Sequence, residues 1–386
     1  MVTLAPLWVS AASALARRSV TAVSRRVPLS VLELAIVTQE GTSADALRGA
    51  TELALAAYRL GFERFWVAEH HNMVSVASTS PPVLMAHLAA NTERIRVGSG
   101  GIMLPNHAPL VVAEQIALIE ALHPGRVDLG LGRAPGTDAY TAMALRRTED
   151  LSAEDFPRDL LDLMGLLGDP RPDDRARLVS GGAPLWDRFA ATPRAATFPQ
   201  VLLLGSSGYS AQLAGLLGLR FVFAHHFDMG GTDEAAALYR RSFRPSEHLA
   251  EPHLIVSANV LVSDTEAEAE RQALPGQLLI HGIRTGERIQ LLSPEDAPDH
   301  RWAGVARATR SGRIVGTPER VVEQLESLQE RTGADELMIS TVCHGTEARV
   351  RSMELLAESW TLTVTLERQP DSAGIDRGST TCSAPG

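Results

Sequence analysis

The chain has 386 residues, 45% of them hydrophobic and 21% charged, which is enough apolar material for a large buried core. A net charge of −10 excludes a general nucleic-acid binder, because phosphate-tracking surfaces need a net basic face. All 36 basic residues are arginine, which excludes a Schiff-base or P-loop lysine, and the only cysteines, Cys343 and Cys382, exclude a disulfide framework and a cysteine-rich zinc site.

Residues 1–28 form an acid-free, Ala/Ser/Val-rich stretch punctuated by Arg17, Arg18, Arg25 and Arg26. Its composition is that of a transit peptide, while a signal peptide fits poorly because the charge follows the apolar part. The stretch is set aside as a mis-started or poorly ordered extension. No apolar run approaches the ~20 residues that span a bilayer, so a soluble protein is expected, and the sparse cysteines fit a reducing cytoplasm.

From Leu29 onward, short apolar runs alternate with longer helical patterns, the mark of parallel β/α architecture. Strands are predicted at residues 32–37, 65–68, 95–97, 127–131, 201–204, 221–224, 254–262 and 336–340. Between the first two, Ser43 is placed to cap a helix carrying Leu47, Ala50, Ala54 and Tyr58 on one face, ended by Gly61. A second helix runs over 110–122, with Pro109 at its start and His123-Pro124-Gly125 at its stop. The long connections 132–200 and 263–335 each predict a helix plus an insertion, and a helix from Pro318 to Thr332 leads into the eighth strand. Residues 369–386 read as a disordered polar tail. Eight units with no dinucleotide fingerprint predict a (β/α)8 barrel over 29–368, with insertions after strands 4 and 7, over an open doubly wound sheet.

In such a barrel function sits where the strands end. Glu69-His70-His71 follows the second strand: an imidazole there can hold a proton near neutral pH with Glu69 fixing its tautomer, or the strand end is merely polar. A metal site is not expected, because adjacent residues of an extended segment cannot all face one ion. Gly98-Ser99-Gly100-Gly101 ends the third strand and fits either a corner turn or something flat against the backbone. Arg133 after the fourth strand and Ser206-Ser207-Gly208-Tyr209-Ser210 after the fifth lie on neighbouring strand ends. Together a guanidinium and a hydroxyl-rich helix start make an anion seat; separately they are a surface arginine and an N-cap. His225-His226 and Cys343-His344 are pocket lining or buried filler.

The blocks Ala68-Glu69-His70-His71-Asn72, Gly98 through His107, His123-Pro124-Gly125-Arg126, Gly130 through Asp138 and Ile314-Val315-Gly316-Thr317-Pro318, in this order, resemble the bacterial luciferase-like monooxygenase family over residues 29–362. The resemblance implies a reduced FMN across the barrel mouth, its phosphate held by Arg133, Ser207, Ser210 and amides near Ser206. It also implies a cis peptide at Ser99-Gly100 under the ring and His70 as the proton-holder beside it. Two positions depart from true luciferases, Ser206 where the catalytic subunit has Glu and Gly132 where it has a reactive Cys, so light emission is not implied. The implied activity is oxygenation of an unidentified small organic substrate with O2, reduced FMN coming from a separate flavin reductase. The alternatives are an F420-dependent hydride transfer and a non-catalytic flavin-binding subunit. Relatives commonly pair, so a homodimer is expected.

Overall fold

The computed structural model describes residues 26–134, 139–146, 154–169, 184–227, 229–309 and 312–362. The expected extension up to residue 25, the tail 369–386 and residues 135–138 of the fourth-strand block lie outside the described residues. In chain order the strands are β1 (Leu29–Glu33), β2 (Arg64–Val67), β3 (Arg96–Ser99), β4 (Ile102–Met103), β5 (Val127–Gly132), β6 (Gln200–Gly205), β7 (Arg220–Phe223), β8 (Leu254–Val262), β9 (Ile314–Gly316) and β10 (Glu336–Ser340). The helices that matter below are α1 (Ser43–Leu60), α2 (Pro81–Asn91), α3 (Pro109–Leu122), α4 (Ala139–Arg146), α5 (Phe156–Leu166), α6 (Gly208–Leu217), α7 (Thr232–Ser242), α8 (Glu266–Thr285), α9 (Ala303–Ala308), α10 (Pro318–Thr332) and α11 (Thr346–Trp360).

All pairings within named strands are parallel, in the order β10-β1-β2-β3-β5-β6-β7-β8, and β8 pairs back onto β10. The sheet therefore closes into the predicted (β/α)8 barrel. β4 and β9 lie outside the ring, extending β5 and β8 at their carboxyl ends. The connection from β5 to β6 carries α4 and α5, and that from β8 to β10 carries α8, α9, β9 and α10.

Strand alternation sends one set of side chains into the ring and the other toward the helices. Leu32, Trp66, Leu202, Val222, Ile255 and Met338 fill the interior, while the larger outer core packs strands on helices. Two residues earlier on the same strands the interior turns polar. Arg64, 5% exposed at its side chain, donates Nε and Nη2 to the two oxygens of Glu336 at 2.7 and 2.8 Å and Nη1 to Asp128 at 2.8 Å. Trp66 Nε1 and Arg96 Nε also donate to Asp128, at 2.9 and 2.8 Å. The floor of the barrel is thus one hydrogen-bonded ion cluster under an apolar plug.

Local chemistry explains where elements begin. Thr42, not Ser43, caps α1: its hydroxyl accepts from Asp45 N at 3.2 Å while Asp45 Oδ2 accepts from Thr42 N at 2.9 Å, a reciprocal capping box. Gly61 ends the helix at φ 84, a left-handed conformation that glycine adopts at no steric cost. The first strand runs Leu29–Glu33 and not 32–37. Ala35 sits at φ 51, and the Glu33 carboxylate accepts from Ala35 N at 2.6 Å and pairs with Arg349, which stops the ladder inside the apolar run. Ordered contacts begin before Leu29: Pro28 O accepts from Leu337 N at 3.1 Å, Val27 O from Trp360 Nε1 at 2.8 Å, and Arg26 pairs with Glu326 at 2.7 Å.

Candidate functional site

Arg133 leaves the carboxyl end of β5 and its guanidinium lies 4.2 Å from the centroid of the Tyr209 ring. Tyr209 stands in the first turn of α6, so cation–π stacking parks the planar cation at that helix start. Arg133 has no carboxylate partner among the described residues. Ser207 is the N-cap residue, but its hydroxyl makes no cap hydrogen bond; Ser206 is half-buried and Ser210 buried. The first amides of α6 and the positive end of its dipole face the same place. A guanidinium without a carboxylate partner among the described residues, serine hydroxyls and a helix N-terminus form a donor-rich seat whose chemistry fits a phosphate monoester. The Tyr209 contact places Arg133 at the helix start that carries Ser206, Ser207 and Ser210. Tyr209, which aims the arginine, carried no signal in the sequence beyond its place in the turn.

The glycines of β3 and β5 have a different reason. A Cβ at Gly98 would lie 2.3 Å from Trp66 Nε1, one at Gly100 2.5 Å from Leu32 Cδ1, and one at Gly130 2.0 Å from Ser99 O. Gly98 and Gly100 make room for the barrel's own plug, Trp66 and Leu32, and Gly130 for the neighbouring β3 backbone. The Ser99 side chain is spent in the wall: its Oγ donates to Gly130 O at 2.8 Å and accepts from Gly130 N at 3.0 Å. Gly100 N donates to Val67 O at 2.8 Å, which keeps the Ser99-Gly100 bond in the strand ladder. The cis peptide accordingly falls one residue later than expected, at Gly100-Gly101.

At the end of β2 the chain divides its polar groups. Glu69, 1% exposed, accepts from His71 Nε2 at 2.9 Å and His107 Nε2 at 2.8 Å on one oxygen and from Met103 N at 3.1 Å on the other. Burial opposes its ionisation, but the hydrogen bonds from His107, His71 and Met103 outweigh this and hold the carboxyl below its usual range. The donor atoms of Glu69, His71 and His107 all lie within 4.8 Å of one another. The adjacency argument holds only for His70, which goes to the other side; His107 arrives from the β4 loop instead. Glu69 therefore fixes His71 and His107, not His70. The sequence contained His107 within a family block but gave no reason to join it to Glu69.

His70 N donates to Ser78 O at 3.1 Å, and His70 lies near enough to His226 to act on its charge. His226 Nδ1 is 2.6 Å from Ser257 Oγ. Burial first, then repulsion from His70 and His225, pushes its imidazole down from 6.5 to about 4. Between those values the unfolded chain binds a proton that the folded chain refuses. Stability contributed by neutral His226 is therefore whole above pH 6.5 and is lost as pH falls toward about 4. In urea unfolding, wild type is expected to lose about 2–3 kcal/mol more than His226→Gln between pH 7 and pH 4. Parallel pH profiles of the two proteins would refute this.

The remaining strand-end residues are less exposed to a ligand. His225 Nδ1 is tied to Thr232 Oγ1 at 2.8 Å, and His344 Nε2 to Glu40 at 3.2 Å. Cys343 is buried filler against Leu261 and Ala273, and burial pushes its thiol up to about 12, which removes it as a nucleophile.

Comparison with known proteins gives a consistent picture. The model of the luciferase-like monooxygenase family matches residues 30–336. Over 336 residues the chain is 43% identical to the uncharacterized protein YvbT of Bacillus subtilis, covering 86% of this chain and 96% of that one. It is 39% identical over 339 residues to an Escherichia coli protein named luciferase-like monooxygenase, with the same shares. The structure is similar to that of apo-MsnO8, with TM-score 0.77 and 36% identity over 87% of this chain and 99% of that one. Two more distant structures share the fold at TM-score 0.61. One is the FMN complex of the oxygenating constituent of 3,6-diketocamphane monooxygenase from Pseudomonas putida, at 18% identity over 86% of this chain and 97% of that one. The other is the coenzyme F420 dependent tetrahydromethanopterin reductase from Methanopyrus kandleri, at 14% identity over 86% and 98%.

Proposed function

Because this chain belongs to the luciferase-like monooxygenase family, we propose that it is an FMN-dependent enzyme which uses reduced FMN and O2 to oxygenate a small organic substrate at the open end of the barrel. The observation that carries the reading is the seat made by Arg133, stacked 4.2 Å from Tyr209 and without a carboxylate partner among the described residues, and the start of α6. Bound reduced FMN supplies the two electrons for activating O2. The chain supplies position and protection. Arg133, Ser207 and Ser210 bind the phosphate, with amides near Ser206, and so fix how far the ring system reaches across the mouth. The plug of Leu32, Trp66, Leu202 and Val222 closes the barrel beneath it to water. His70, turned away from Glu69, takes up or returns a proton at an imidazole nitrogen beside the ring.

No dinucleotide fingerprint is present in the sequence, which supports delivery of reduced FMN by a separate reductase. Val111, Leu118 and Leu122 make an exposed apolar stripe on α3, with Val83 of α2 exposed as well, and support pairing of two copies.

The test is anaerobic titration with dithionite-reduced FMN, followed by mixing with O2 in a stopped flow. Saturable binding of FMN in preference to F420 is expected. His70→Ala is expected to leave FMN affinity within about threefold while changing the rate of flavin reoxidation by about tenfold or more. Normal binding with an unchanged reoxidation trace in the variant would instead identify a flavin carrier.

A further inference from the structure

The polar layer at the barrel floor carries three guanidiniums, Arg64, Arg96 and Arg220, against two carboxylates, Asp128 and Glu336. Arg220 belongs to this layer because it lies two residues before Val222 of the plug on β7, as Gln200 lies two before Leu202 on β6. Arg64 is joined to Glu336 and Asp128, and Arg96 to Asp128, so both carboxylates are taken. Arg220 makes no hydrogen bond and no ion pair with a described residue, and its Nε is buried. Burial first, then repulsion from Arg64 and Arg96, weighs against its charge, and attraction from Asp128 and Glu336 does not offset them. Among the described residues the floor therefore holds a positive charge in excess, on a donor that the fold leaves unsatisfied.

A cavity of about 180 Å3 opens beside this cation at the amino ends of β6 and β7. Arg220 and Gln200 line it, and no acidic side chain does so among the described residues. The stacked rings of Phe198 and His248, 4.4 Å between centroids, form another wall. Gln200 Oε1 accepts from Arg64 Nη1 at 3.5 Å, which leaves the amide Nε2 as the end available to a ligand. The main-chain oxygens at the rim are already engaged: Gly218 O accepts from Ser246 Oγ and Leu219 O from Tyr239 Oη, each at 2.8 Å. Two properties then select the ligand. One negative charge neutralises the floor, whereas a dianion reverses the imbalance. The edge of a guanidinium offers two parallel N–H donors, which the two oxygens of a carboxylate accept together and a halide cannot.

We propose that this cavity holds a small carboxylate monoanion, the size of acetate, between Arg220 and the Gln200 amide. It lies at the opposite end of the barrel from Arg133, and the amino end of such a barrel serves stability, so the expected effect is on unfolding and not on flavin binding. The test is thermal unfolding of the full-length protein and of Arg220→Gln in sodium acetate up to about 50 mM, with ionic strength held constant by sodium chloride. General salt effects act on both proteins alike and cancel in the comparison. Wild type is expected to gain about 1–3 °C in Tm, saturably, that Arg220→Gln does not gain. Sodium sulfate at the same ionic strength is expected to give less of this wild-type-specific gain than acetate, because its second charge overshoots the excess. Arg220→Lys, which keeps the charge without the planar fork, should lose most of the gain. FMN affinity of Arg220→Gln is expected to stay within about twofold of wild type, since the two sites share no partner. Equal gains in acetate for wild type and Arg220→Gln, a wild-type-specific gain that is larger in sulfate than in acetate, or a full gain in Arg220→Lys would each overturn the proposal.

Discussion

Arg133→Ala is expected to weaken binding of reduced FMN by about 10- to 100-fold and to leave riboflavin binding unchanged. The direction follows from what surrounds the guanidinium. Its partner is the Tyr209 ring at 4.2 Å, with no carboxylate among the described residues, so its hydrogen-bonding fork stays available at the start of α6. The magnitude is that of one charge-assisted hydrogen-bonding group, about 1.5–3 kcal/mol, at about 1.4 kcal/mol per tenfold in Kd. Riboflavin lacks the phosphate and is blind to the seat, which makes the comparison internal. Arg133→Lys keeps the charge but loses the planar fork and much of the stacking, so it should fall between wild type and Ala. Equal losses for FMN and riboflavin would place Arg133 against the ring system or in the fold instead of at the phosphate.

How much of this was legible in the sequence depends on whether the signal was local. Periodicity located β8 and β10 at their observed bounds, and the proline and glycine punctuation located α10, because strand, helix and stop signals there act within one element. The first strand failed for the opposite reason. Its end is set by Arg349, 316 residues away, pairing with Glu33, and no local pattern carries that. The residues of the proposed phosphate seat were readable as types on adjacent strand ends, but Tyr209's part in aiming Arg133 is purely tertiary. The glycines were ambiguous in a physical way: the Gly98-Ser99-Gly100-Gly101 run fits a corner turn or something flat against the backbone, and a tryptophan plug asks the same thing of Gly98 as a flat ring system would. The Glu69 hub shows both sides. Residues two apart on an extended segment share a side, which pairs Glu69 with His71, whereas His107 enters from another loop.

The largest loss of stability is expected at the barrel floor. Replacing Arg64 with Leu removes the cation shared by Glu336 and Asp128, all three buried, and should cost about 3–5 kcal/mol, because uncompensated buried charge outweighs the gain in apolar surface. Asp128 keeps Arg96 and Trp66 Nε1 as donors, whereas Glu336 keeps only the Ser30 hydroxyl and His253, at 3.6 Å, and bears most of the loss. The pH dependence identifies it. In wild type, burial pushes the Glu336 carboxyl up, but Arg64 and its hydrogen bonds outweigh burial and hold it at about 2. Wild-type stability from this group is therefore present above the ordinary 4.5 and is lost as pH falls from there toward about 2. Without Arg64, burial is opposed only by the Ser30 and His253 hydrogen bonds, and the folded-state value is expected to rise past the unfolded one, so that the folded chain takes up a proton first. Arg64→Leu should then regain stability as pH drops from 7 toward 5, where wild type gains nothing from Glu336. Adding Glu336→Gln to Arg64→Leu removes the stranded charge. It should recover a large part of the loss at pH 7 and abolish the regain on acidification. Urea unfolding of the three proteins at pH 7 and pH 5 decides the matter. If the double variant is no more stable than Arg64→Leu at pH 7, the cost lies in lost packing around Trp66 and not in the stranded carboxylate.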